Sequence, residues 1–288
     1  MTSTIQNSVS LALTAFATFR TPGKIANAIR SGGLESIRAA ASELDEITLG
    51  DIESKARSME SLGIGAVIFG QDDFPVSLVQ NGKPLMPIIF YKGNKGLLYA
   101  DGVGMCGSRN VSPQGLAAAE RCGVAVSNRN LTIVSGYAKG VDTATHLAAL
   151  RSGGSTVIVL AEGFDFFRIK REFASDFDPE RTLVLSQFAP SQTWQAHAAM
   201  ARNAIIFGLS NALVVIEAGD RGGTLAAGHG AMKLGRPVLV VDFGERTPEG
   251  NKILLGAGAL PISSPKSLQD ALSRISEGAP PVGDVPLF

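Results

Sequence analysis

The chain has 288 residues, 45% of them hydrophobic, with 33 glycines and a formal net charge of zero. That is enough apolar surface for one large or two modest domains, and the glycine content suits an α/β core with many tight turns. Charge neutrality argues against a protein that coats nucleic acid through bulk positive potential, so any such binding has to come from a local pocket.

Residues 1–60 place apolar side chains at helical spacing, with breaks at Thr21-Pro22-Gly23 and Ser31-Gly32-Gly33. The pattern predicts helices near 7–18, 22–30, 34–41 and 49–61. Together they make a small helical module, 1–61, with solvated charged faces and no obvious chemistry. Residues 62–100 hold two β-like runs, Ala66–Phe69 and Ile88–Tyr91, around a proline-bearing loop. This segment is expected to pack on the core as a strand and loop extension. From 101 the pattern becomes strand, glycine turn, helix, repeated. Strands are expected at 102–106, 131–135, 156–161, 182–186, 211–217 and 237–243, and helices near 113–128, 141–152, 194–206 and 223–235. Strands this apolar are buried on both faces. The fold class is therefore α/β, a Rossmann-like parallel sheet flanked by helices over 101–265, preceded by the helical module. The remainder, 266–288, reads as one short helix near 266–276 and a loose tail from Gly278.

No segment approaches 18 apolar residues and the first residues carry no basic leader pattern, which predicts a cytoplasmic protein without membrane contact. Cys106 and Cys122 lack metal spacing and read as buried thiols. His197 and His229 have no companion ligands, so no metal site is expected.

Two of the strand-turn-helix units carry chemistry. Val103–Arg109 and Leu131–Asp142 each end a strand in a Gly/Ser turn that delivers one basic side chain and opens a helix. In a parallel sheet such turns lie side by side at the carboxyl edge, where ligands of open α/β folds bind. Small residues let backbone N–H groups approach a phosphate, and helix N-termini favour negative charge. Arg109 and Lys139 are expected to converge on one anion. Gly102-Val-Gly-Met-Cys-Gly107 spells the dinucleotide fingerprint, but its glycines fall inside a strand and the acidic residue at the end of the second strand is missing, so NAD or FAD binding is not expected. Asp142 reads as a helix cap and His146 as a structural residue. Phe164, Phe166, Phe167 and Trp194 fit base stacking or core packing equally well.

The ordered set Gly107-Ser108-Arg109, Ser112-Pro-Gln-Gly115, Ser135–Asp142, Arg202-Asn203, Gly208-Leu-Ser210, Glu217-Ala218, Arg221-Gly-Gly-Thr-Leu225 and Glu249-Gly-Asn-Lys252 resembles the DNA-processing protein A family (DprA, also called Smf). The resemblance covers roughly 62–265. It implies a non-catalytic, cofactor-free, homodimeric protein that binds single-stranded DNA, protects it and helps load the RecA recombinase. By the same resemblance, Gly107, Ser108 and Arg109 contact phosphate from the first turn. Ser135, Gly136, Lys139 and Gly140 line the second. Lys170, Arg202 and Asn203 match further contact regions, Gly222, Gly223 and Thr224 form another anion-friendly turn, and Lys252 reaches a phosphate or a partner subunit. The dimer face is expected after about residue 210.

The sequence departs from the family pattern in several places. Arg-Asn-Arg reads Arg202-Asn203-Ala204, the preceding aromatic and proline residues are replaced by Ala198–Ala201, and Tyr-Pro after the third strand becomes Phe166-Phe167. A divergent member without the C-terminal winged helix is expected. Two other readings keep the fold: a sensor for a small nucleotide, and a nucleotide phosphoribohydrolase. The second is disfavoured because Ala227 stands where such enzymes need a carboxylate.

Overall fold

The computed structural model describes residues 7–277, so the tail expected to be loose beyond Gly278 lies outside the described residues. The chain opens with α1 Ser8–Phe19, α2 Pro22–Gly32, α3 Glu35–Ala41 and α4 Glu46–Ser61. Asn7, Thr21 and Asp45 start three of them by accepting from backbone N–H groups of the first turn, and Pro22 takes the first helical position of α2, where its missing donor costs nothing. There follow β1 Ile64–Ile68, a hairpin of β2 Val79–Gln80 and β3 Lys83–Pro84, and β4 Ile88–Gly93. The hairpin turns on Asn81-Gly82, with φ of 51° and 71°, the left-handed pair that a two-residue connection requires.

Strand and helix then alternate. The order is β5 Gly102–Cys106, α5 Pro113–Ser127, β6 Thr132–Ser135, α6 Val141–Arg151, β7 Thr156–Val159 and β8 Thr182–Ser186. It continues with α7 Ala196–Ala201, α8 Asn203–Gly208, β9 Ala212–Val215 and α9 Gly223–Lys233. The last elements are β10 Val238–Val241, α10 Glu249–Gly256, β11 Leu260–Ile262 and α11 Pro265–Ser276.

All strands but the hairpin join one nine-stranded sheet in the order β1-β4-β8-β7-β6-β5-β9-β10-β11. Only β4 runs against its neighbours. The segment 62–100 contributes its two longer strands, β1 and β4, to the edge of the main sheet. Alternate residues divide between the faces. Val157 and Val159 pack with α8, α9 and α10 through Ile205, Ala227 and Leu254. Ile158 on the same strand points to the other face, beneath α1, α2, α4 and α6. There Phe90, Ile25 and Ile37 are completely buried, so the N-terminal helices roof the β1-β4-β8-β7 end of the sheet rather than standing apart. Farther along that face, α5 and α11 cover β5, β9 and β10.

Two expectations change in detail. The helix foreseen over 194–206 is split into α7 and α8 at Arg202, where the chain tightens to an Ile205 N–H to Arg202 O bond of 3.0 Å. The pair α10 and β11 was not foreseen. The glycines of the false fingerprint have a packing role: a Cβ on Gly102 would come within 2.2 Å of the Leu209 carbonyl, and one on Gly107 within 2.5 Å of Val141.

Candidate nucleic-acid interface

Within the parallel part of the sheet the order reverses at β5, which has β6 on one side and β9 on the other. A switch point of this kind opens a crevice beyond the carboxyl ends of the strands. Two adjoining pockets lie there. One, of about 380 Å³, is bounded by Arg109, Tyr137, Lys139, Glu162, Lys170, Trp194 and Arg202. The other, of about 360 Å³, is bounded by Gly107, Arg109, Asp142, Trp194, Met200, Arg202, Asn203, Gly223 and Thr224. Arg109, Trp194 and Arg202 belong to both, so the two form one groove across the loops after β9, β5, β6 and β7.

The cations in it differ in freedom. Arg109 and Lys139 are exposed and meet in the first pocket. The Arg109 guanidinium lies over the Trp194 ring, 5.5 Å from its centroid. Lys170 is half-buried; its ammonium donates to the Tyr137 carbonyl at 2.7 Å and the Thr143 hydroxyl at 3.3 Å. It also lies 4.1 Å from the centre of the Tyr137 ring. Burial pulls its pKa down, yet one N–H remains for a ligand.

Arg202 is the strongest correction. It borders both pockets, where a phosphate contact is expected, but its side chain is only 10% exposed and its donors turn into the protein. Nη1 donates to the Val159 carbonyl at 2.7 Å, Nε to the Ala199 carbonyl at 3.3 Å, and Nη2 stands 3.6 Å from Asp142. Its charge contributes potential to the groove floor while its donors hold β7, α7 and α6 together.

Five other expected contacts lie outside the groove. Ser135 is fully buried and donates its hydroxyl to the Met105 carbonyl at 2.7 Å, stitching β6 to β5. Gly136 is buried beneath Arg202, and any Cβ would overlap the guanidinium at 1.8 Å. Ser108 holds its own loop, accepting from Asn110 N–H through the hydroxyl and from Val141 N–H through the carbonyl. Lys252 is exposed, 3.6 Å from Glu249, and borders neither pocket of the groove. Gly140 caps α6 at φ 81°, a left-handed conformation open to glycine. It lines a separate depression between α5 and α6 together with Lys139.

The helix N-termini divide in the same way. At α5 the anion position is already filled: the Glu217 carboxylate accepts from Ser112 N–H at 3.2 Å and from its hydroxyl at 2.8 Å. A side chain at Gly115 would strike that carboxylate at 2.1 Å, which accounts for the glycine. At α9 the position is open, with exposed Gly222 at φ 104° and Gly223 and Thr224 facing the groove. Both Ser112–Gly115 and Glu217-Ala218 stand out as motifs in the sequence, but nothing in their spacing says that one caps the other.

The residue that matters next to Lys252 is Asn251. It is completely buried. It accepts from Ala218 N–H at 2.7 Å and donates to the Ile216 and Val241 carbonyls at 3.0 and 2.8 Å, tying α10 to the ends of β9 and β10. Asn251→Ala leaves three buried backbone groups unpaired and is expected to cost about 3 kcal/mol, read as a lower urea midpoint at unchanged slope. A loss below about 1 kcal/mol contradicts this role.

Among the described residues no three His, Cys, Asp or Glu side chains gather in a way that could hold a metal ion. No described helix is long and apolar enough to cross a membrane. Cys106 and Cys122 are free thiols, and burial raises both pKa values, that of Cys122 to about 12.

Comparison with known proteins places this architecture. The DNA processing protein DprA of Streptococcus pneumoniae is 41% identical over 155 residues, 54% of this chain and 55% of that protein. Protein Smf of Escherichia coli is 30% identical over 192 residues, 64% of this chain and 50% of its own length. The alignments thus span about half the length of these relatives. The X-ray structure of DNA processing protein A from S. pneumoniae superposes with a TM-score of 0.68 at 28% identity, covering 93% of this chain and 95% of that one. The Helicobacter pylori protein, solved for its single-stranded DNA binding mode, shares the fold with a TM-score of 0.63 at 20% identity, covering 73% of this chain and 96% of that one. The family model for DNA recombination-mediator protein A matches residues 65–273, which takes in nearly the whole sheet and the helices that follow β4 but not α1–α4, and the chain belongs to that family.

Proposed function

We propose that this protein binds single-stranded DNA in the groove at the sheet switch point and acts without catalysis in DNA processing and recombination. The observation that carries the reading is the pairing of two free cations, Arg109 and Lys139, on one rim whose floor already holds the buried charge of Arg202. A neutral chain has no bulk attraction for a polyanion, so affinity has to arise from such a local cluster. The open N-terminus of α9 at the other end of the groove adds a second place for a phosphate. A groove with anion-favouring groups at both ends suits a sugar-phosphate chain better than a mononucleotide. Of the carboxylates that border it, Asp142 is tied to Arg202 and to Ala138 N–H. Ala227 lines the pocket where a hydrolase of this fold would carry its acid. Protection of the bound strand, RecA as the partner, a homodimeric assembly and a cytoplasmic setting are part of the proposal and rest on family membership.

Fluorescence anisotropy with short oligo-dT over a salt series tests the reading. Wild-type protein is expected to bind in a salt-sensitive way. Arg109→Ala should weaken binding by more than about tenfold and lower the salt slope by about 0.7, the share of one phosphate contact on a single strand. Tight binding of free mononucleotides without oligomer binding overturns it in favour of a nucleotide sensor.

A further inference from the structure

The chain's single tryptophan sits in an unusual place for so large an apolar group. Trp194 lies in the loop between β8 and α7, is 49% exposed and belongs to none of the apolar clusters among the described residues. It borders both pockets of the groove. Its ring meets the Arg109 guanidinium rather than another aromatic side chain. Met200, 42% exposed, shares the second pocket with it. The candidate aromatics after β7 are placed differently. Phe164 and Phe167 are packed inward, 6.1 Å apart, and Phe167 meets Tyr137 at a tilt, 5.7 Å between centroids; Phe166 is 45% exposed but borders neither pocket of the groove.

We infer that the indole of Trp194 is the stacking platform for one unpaired nucleobase, with Arg109 on its other face meeting the adjoining phosphate. This rests on the single-strand reading above and adds what that reading lacks, a group that recognises the base. Cations and an open helix end attract any polyanion, whereas a flat exposed ring between them selects a ligand with flat faces to offer. In a duplex those faces are already stacked on one another, so the platform discriminates against double strands. Stacking is also indifferent to base identity, because every base has a π-face, and the groove is therefore predicted to be tolerant of sequence. The cation over the ring makes the platform stiffer, since guanidinium and indole attract each other.

A sole tryptophan makes the test direct. Oligo-dT is expected to quench the intrinsic emission of the wild-type protein as it binds, whereas an abasic deoxyribose-phosphate chain of equal length leaves it unchanged. Trp194→Ala should weaken oligo-dT binding by roughly 5- to 100-fold, and Trp194→Phe, which keeps a ring, by less than about fivefold. For the abasic chain the two variants and wild type should bind alike. A fluorescence-labelled oligomer that binds with unchanged tryptophan emission and equal affinity for Trp194→Ala overturns the platform while leaving the single-strand reading intact. A loss in Trp194→Ala that is as large for the abasic chain also overturns it, because the ring then only positions Arg109. Failure of the wild type to bind any oligomer ends both.

Discussion

Arg202→Met is expected to destabilise the fold by about 3–5 kcal/mol, the cost of breaking a buried ion pair by removing one partner. The methionine keeps most of the apolar stem, so the loss isolates the guanidinium. Without it, Asp142, whose side chain is 9% exposed, keeps a buried charge without its ion-pair partner. The Val159 and Ala199 carbonyls also lose their donor. The ion pair itself is loose at 3.6 Å, so most of the effect should come from stranded partners rather than lost attraction. The double variant Arg202→Met, Asp142→Asn removes both charges and is expected to regain about half of the loss. Urea unfolding of the three proteins measures this cycle. A single-variant cost under about 1 kcal/mol would mean that the groove floor is organised by something else.

His146 supplies the second large effect, one that depends on pH. The imidazole is completely buried, with Nε2 2.6 Å from the Gly136 carbonyl and Nδ1 2.5 Å from the Thr156 hydroxyl. Facing a carbonyl, Nε2 has to carry the proton of the neutral ring, which leaves Nδ1 as an acceptor toward the Thr156 hydroxyl, whose one proton is shared with the Ile133 carbonyl at 3.1 Å. Burial opposes the charged form and holds the pKa at about 4, against 6.5 for the free side chain. The unfolded chain therefore takes up the proton first. This contribution to stability is full above pH 6.5 and is lost as the pH falls toward 4, by about 3 kcal/mol in all. His146→Gln retains a donor toward Gly136 and does not titrate. Its stability should fall by about 3 kcal/mol less than that of the wild type between pH 7 and pH 4. Parallel pH profiles for the two proteins would refute the assignment.

Local chemistry was enough for the elements and their order. Apolar runs broken by glycine turns, caps such as Asn7 and Ser112, and the proline starts of α2, α5 and α11 act over a few neighbours, so they can be read along the chain. The Asn81-Gly82 pair is an equally local signal for the hairpin that it turns. The two turns bearing Arg109 and Lys139 were visible for the same reason: a strand, a glycine and one basic residue suffice to place a charge at the end of a parallel strand.

The Rossmann-like alternation of strand and helix and the pair of turns that present exposed cations are thus properties of neighbouring residues. Which polar residues remain for a ligand is settled by folding. Arg202 and Ser135 look like Arg109 and Ser108 in any window of sequence. They are consumed by partners at Val159, Asp142 and Met105 that only folding brings within reach. In the same way Glu217 fills one helix end and leaves another open, and the N-terminal helices become a roof over β1 and β4. Those outcomes depend on contacts between residues far apart in the chain, where a hydrogen bond or a desolvated charge is settled by geometry in three dimensions and leaves no periodic trace in one.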